Sequence, residues 1–223
     1  MKQFLIISAL VLISFIVPAQ SEKYQAAMQK NMVLLDSAKT NDQLIPLVSS
    51  FERIGDAEKT IWLPYYYAAL CQISIIRNSI QQGAAQKDAT GVEAMLNKAE
   101  ALIAKAELID PSNSEIYVLK NMLATNTIMM NPMVNGQKYG PLAATYLTKS
   151  IQLDSTNPRP FIMAGMSKYY TPEQWGGDKK KAMELFKKAD MLDQQFKPAS
   201  ILHPHWGRML IDVMLNMTAS SVK

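Results

Sequence analysis

The sequence is poor in the residues that staple small folds or build catalytic centres. Cys71 is the single cysteine among 223 residues, so no internal disulfide is possible and the fold must rest on packing. Placed in an apolar stretch, Cys71 reads as a small buried hydrophobe. An excess of one charge is also lacking: 23 Lys and Arg face 19 Asp and Glu, a net +4 spread along the chain. A nucleic-acid binder concentrates its basic residues in a stripe, so no nucleic-acid partner is expected. The two histidines, His203 and His205, flank Pro204 with no nearby cysteine or acidic pair. A zinc site needs three or four convergent ligands, so this segment reads as a turn with solvated imidazoles. Gly-x-Ser-x-Gly elbows, phosphate loops and dinucleotide fingerprints are all missing. The expectation is a protein that is not an enzyme and carries no cofactor and no metal. The 15 methionines follow helical core spacing without Met-x-Met runs, which reads as core filling rather than copper binding.

Long hydrophobic runs are missing as well, with one partial exception. Phe4 to Val17 is apolar or small throughout, yet shorter than the roughly 20 residues that span a bilayer. Lys2 precedes it, and Val17-Pro18-Ala19 offers a cleavage site before Gln20, the pattern of a secretory signal. No cysteine follows the run, which argues against a lipid anchor. Residues 1–19 are therefore expected to be a signal peptide, and the mature chain an exported protein of the periplasm or cell surface with no membrane span.

What the chain does contain is helical periodicity, without strand alternation. Gly and Pro gather as punctuation at Gly83, Pro111, Pro132, Gly136, Gly140-Pro141, Pro158, Gly176-Gly177 and Pro198. Between these marks the pattern predicts nine helices, at about 22–38, 42–55, 58–80, 90–109, 114–130, 141–153, 158–170, 178–195 and 203–217.

Spacing orders these helices into pairs. Ala99, Ile103 and Ala106 stand on one helical face, followed by Asp110-Pro111. Ala143, Leu147 and Ser150 repeat that spacing before Asp154-Ser155, and Ala182, Phe186 and Ala189 repeat it again before Asp193. Small residues on one face let a neighbouring helix approach closely. An aromatic then opens the next helix at a constant distance: Tyr117 follows Ala106, and Phe161 follows Ser150, by eleven residues in both cases. Leu44, Val48, Phe51 and Trp62 form a degenerate earlier copy.

Small–bulky–small on a second helix, an Asp turn, an early aromatic and Gly165 four residues after Phe161 resemble the tetratricopeptide repeat. The resemblance implies an all-α solenoid of antiparallel helix pairs. Residues 20–57 would form a degenerate N-terminal pair, 58–200 three further pairs, and 201–223 a capping helix and tail. The usual period is about 34 residues, but the first small position here steps from 44 to 99, 143 and 182. Because the turn into each following helix is constant, the surplus falls between the first and second helices of each pair, along one edge. Insertions gathered on one edge often build a binding surface.

In the family, ligands lie on the concave face of the first helices. By position this selects Leu63, Tyr67 and Leu70, then Val118, Met122 and Thr125, then Ile162, Met166 and Tyr169. Leu63 and Tyr67 stand where some relatives place the Lys and Asn that clamp a peptide carboxylate, so that mode of binding is not expected. Two arrangements stay open: an apolar groove, or ordinary core covered by the N-terminal helices or the last helix. Trp175, in the loop Trp175-Gly176-Gly177-Asp178 before three lysines, adds a second candidate surface, with Asp178 as a helix cap. The reading is a non-catalytic binding or scaffolding protein of a bacterial envelope, taking an unidentified protein or peptide. A carrier of a small apolar ligand is the alternative. An enzyme would require His203, His205 and an acidic residue in one pocket.

Overall fold

The computed structural model describes residues 22–83 and 88–221; the expected signal peptide lies outside them. Nine α-helices carry these residues, with no strand among them. They are α1 (Glu22–Ser37), α2 (Asn41–Glu58), α3 (Leu63–Gln81), α4 (Ala89–Ile109), α5 (Ser114–Met130), α6 (Pro132–Leu153), α7 (Arg159–Tyr170), α8 (Lys179–Gln195) and α9 (Arg208–Ser221). A 3-10 turn, Glu173–Trp175, lies between α7 and α8.

Local chemistry starts several of these helices. Asp88, Asn113, Asn131 and Asp178 each accept a hydrogen bond from a free backbone N–H of the first turn, which satisfies a donor with no partner inside the helix. Gly176, at φ 88°, makes the left-handed turn that other residues avoid.

The sequence pattern misplaces the start of α6. Gly136 and Gly140-Pro141 read as breaks, yet the helix begins at Pro132 and continues through Pro141. Pro132 suits a first-turn position, where no N–H is needed, and the Asn131 side chain accepts the Val134 N–H. Consequently α5 and α6 meet across Asn131 alone. Here the surplus between first and second helices is taken up as helix length rather than as loop.

Each helix packs on the next, and α3, α5, α7 and α9 also touch in series. The small–bulky–small positions form the seams of this stack. Ala99, Ile103 and Ala106 are buried, as are Ala182, Phe186 and Ala189, and Leu44, Val48 and Phe51. Ala143 and Ser150 are buried as well, while Leu147 is partly exposed. At one seam α7 meets α8 so closely that a Cβ on Gly165 would stand 2.5 Å from the Phe186 ring. Cys71 lies wholly inside, and loss of hydration pushes its thiol pKa up to about 12, as expected for an inert packing residue.

One segment is not a repeat element. Residues 196–207 leave α8 and return across the first helices before α9 begins. Leu202 is buried in the main core beside residues of α3, and its carbonyl accepts a 2.9 Å hydrogen bond from the Tyr67 hydroxyl. Trp206 donates its indole N–H to the Tyr66 hydroxyl at 2.8 Å. The strap joins residues 135 and 140 positions apart.

Overpacking predicts the cost of widening the α7–α8 seam. Gly165→Ala should lower unfolding stability by about 1–3 kcal/mol, read from the urea midpoint, with far-UV helicity retained.

Candidate functional site

The strap, the turn before α5 and the turn before α7 enclose a half-open cleft of about 600 Å³. This volume falls within the roughly 300–1,000 Å³ range of small-ligand pockets. Trp62, Leu153, Leu192, Phe196 and Pro198 supply apolar wall, and Lys197 and His203 stand among the polar lining. Three carboxylates also line it, and each already has partners. Asp110 accepts from the Asn113 amide at 2.8 Å, Asp154 accepts from the Thr156 N–H at 2.8 Å, and Glu115 belongs to a buried network.

That network forms one wall of the cleft. Arg159, fully buried, donates from Nη1 to Glu115 Oε1 at 2.8 Å and from Nη2 to the Pro204 carbonyl at 2.6 Å. Its guanidinium lies 4.9 Å from the Phe196 ring centroid and 5.3 Å from that of Trp206, a cation between two aromatic faces. Asn157 donates to the same carboxylate at 2.8 Å, and the Tyr66 hydroxyl donates to Oε2 at 3.0 Å. Full burial pushes the Glu115 carboxyl above the usual range, while Arg159, Tyr66 and Asn157 pull it down. Burial likewise raises Tyr66 far above an ordinary phenol, so its proton stays available for donation.

His203 is better placed than its sequence context suggests. It is half-buried, and loss of hydration holds its pKa below the ordinary imidazole range, which keeps the ring neutral at pH 7. Its ring meets Trp62 edge-on, with centroids 5.9 Å apart, and Nδ1 lies 2.8 Å from the Ser200 hydroxyl. His205 is exposed, does not line the cleft, and bonds the His203 carbonyl through Nδ1. The convergence of both histidines with an acid, which an enzyme reading required, is therefore not formed. Among the described residues, no three His, Cys, Asp or Glu side chains are placed to hold a bare metal ion.

The positions expected on a concave face separate into two sets. Leu63, Tyr67, Val118 and Ile162 are at most 3% exposed, so they are interior packing rather than open surface. The strap covers Tyr67, and a Cβ on Gly207 would stand 2.9 Å from the Ile162 side chain. Leu70, Met122, Met166 and Tyr169 are half-buried, and Thr125 is exposed. Met122 and Leu70 pack on the main core, while Met166 and Tyr169 pack with α8 and α9. Trp175, 60% exposed, stands out on its own turn. None of these ten lines the cleft.

Sequence reasoning missed Arg159 and Glu115 because each looks like an ordinary surface charge. One signal was available: Arg159 opens α7, where its charge opposes the positive end of the helix, and a residue in such a conflict needs a compensating partner.

These features define an all-α stack of helix pairs with a cleft closed on one side by a returning strap. Among solved structures, this chain is similar to the HusA haemophore from Porphyromonas gingivalis, with a TM-score of 0.77 and 26% identity over 92% of this chain and 98% of that one. No family model matches the sequence, and no curated protein matches it.

The buried pair yields a mutational prediction. Glu115→Ala should cost about 3–5 kcal/mol, because it leaves the Arg159 charge inside without its partner. The double variant Glu115→Leu with Arg159→Met should lose much less than the sum of the single changes, as measured by urea unfolding in a double-mutant cycle.

Proposed function

We propose that this chain is a non-catalytic carrier of a small, largely apolar ligand of the haem class, held in the cleft beneath the strap. The observation that carries this reading is the likeness to a haemophore along nearly the whole of both chains. A haemophore, by its name, carries haem. The cleft supports the same reading by its size, with Trp62 and Phe196 on its apolar wall for a planar ring and Lys197 for a carboxylate. Tetratricopeptide-like pairing supplies the scaffold in this reading, and the apolar run Phe4–Val17 would direct export, where a scavenging carrier works. No helix among the described residues is long and apolar enough to cross a membrane.

A second reading, docking of a protein partner, has one observation in its favour. At the α5–α6 junction Met129, Met133 and Val134 are 41%, 75% and 68% exposed. Apolar side chains gathered at a protruding tip suit an adaptable contact. This surface lies on the edge where the repeat surplus falls. It is compatible with a carrier that hands its ligand on.

Titration with haemin and with iron-free protoporphyrin IX tests the carrier reading. The expected result is saturable binding with a shifted Soret band, and a complex that survives gel filtration. Absence of saturable binding for both compounds would overturn it.

A further inference from the structure

We propose that the α7–α8 turn is a docking surface for an anionic lipid membrane, with Trp175 as the inserted anchor and the lysines around it as the electrostatic contact. The cleft lies at the start of α7 and this turn follows its end, so the two are separate surfaces. The inference holds whatever ligand the cleft takes.

Trp175 is 60% exposed and belongs to none of the apolar clusters of the core. Its backbone is nevertheless fixed. The Trp175 N–H donates to the Pro172 carbonyl at 2.9 Å, the Gly177 N–H to the same carbonyl at 3.1 Å, and the Asp178 N–H to the Lys168 carbonyl at 2.9 Å. Lys168 Nζ closes the turn by donating to the Gly176 carbonyl at 2.8 Å. A Cβ on Gly177 would stand 1.8 Å from the Thr171 carbonyl oxygen, so the turn closes too tightly for a side chain there. An anchor on an ordered turn gives up little backbone entropy on binding. Beside it Tyr170 is 59% exposed, and its ring meets Tyr169 edge-on with centroids 4.9 Å apart. Trp and Tyr settle at the membrane–water boundary, where an apolar ring and a polar edge are both accommodated.

The charge around this anchor is mostly of one sign. Between residues 168 and 188, six lysines (Lys168, Lys179, Lys180, Lys181, Lys187 and Lys188) stand against Glu173, Asp178 and Glu184, a net +3 of the chain's +4. Glu184 is taken by Lys181 at 2.6 Å, and the Asp178 carboxylate accepts the Lys181 N–H as a helix cap. Lys180, Lys187 and Lys188 are exposed and have no carboxylate partner among the described residues. Three of the lysines also crowd the first turn of α8, where the positive end of the helix repels them. An anionic headgroup layer relieves that repulsion, and a lysine close to such a layer contributes about fivefold to binding. An apolar ring protruding among lysines matches a plane that is anionic at its surface and apolar just beneath. Contact of this kind is peripheral and needs no spanning helix.

The test mixes the protein, purified as the cell exports it, with vesicles of phosphatidylcholine alone or with about one third phosphatidylglycerol. Binding is read by co-sedimentation and by quenching of tryptophan fluorescence with brominated lipid. Wild type should bind the anionic vesicles at least about tenfold more tightly than the neutral ones, and should lose that preference at about 0.5 M salt. Trp175→Ala should weaken binding to anionic vesicles about tenfold and remove most of the quenching. Lys180→Glu with Lys187→Glu should weaken it at least about tenfold. Lys23→Glu with Lys30→Glu, the same charge change on exposed positions of α1, should stay within about twofold of wild type. Far-UV helicity should be kept throughout, because every substituted side chain is exposed. Equal binding of wild type to neutral and anionic vesicles, or an equal loss in the α1 variant, would overturn the proposal. A photoreactive side chain at position 175 that crosslinks to an envelope protein and never to lipid would overturn it too, by making this surface a protein contact. Porphyrin titration of the same variants reports on the cleft separately.

Discussion

The buried Arg159–Glu115 pair is the constraint on which the arrangement of this chain depends. A guanidinium removed from water is tolerated only where its charge is matched and most of its donors are used. Arg159 meets that demand by drawing together four parts of the chain. Glu115 comes from the start of α5, Asn157 from the turn before α7, and the Pro204 carbonyl and Trp206 ring from the strap. Tyr66 on α3 joins through Glu115 and Trp206. Successive first helices are thus held in register by one polar network as well as by apolar seams. The strap is anchored where it would otherwise be a loose connection.

This network also shapes the cleft. By holding Pro204, Arg159 keeps the strap across the turns before α5 and α7, and the space left below it is the cleft. Among the lining carboxylates, Glu115 is matched by the buried Arg159, whereas Asp110 and Asp154 are hydrogen-bonded to neutral groups. The group that fixes the strap also fixes the backbone bearing His203.

Much of the architecture was legible in sequence. Ala99, Ile103 and Ala106 and their two registered copies mark the helix seams, because small side chains at helical spacing have few other uses. Asp178 marks a helix start because an unpaired N–H must find an acceptor close in sequence. The extension of α6 back to Pro132 was not legible. Gly and Pro weaken a helix by local terms, and packing of α6 along the whole of α5 outweighs them here. The site was hardly legible. His203 reads as a solvated turn residue, and Leu63, Tyr67, Val118 and Ile162 read equally as groove or covered core, until the strap is seen to lie across the first helices.

The sequence by itself determined the helical class, the pairing of the helices and the inert cysteine. Those properties follow from composition and from periodicities within a few turns of chain. Tertiary structure alone decided which face is covered and which residues line the cleft. The deciding contacts, Tyr67 to Leu202 and Tyr66 to Trp206, join residues 135 and 140 positions apart. No local rule reaches across such a distance; only the burial of one arginine and the return of one strap bring those residues together.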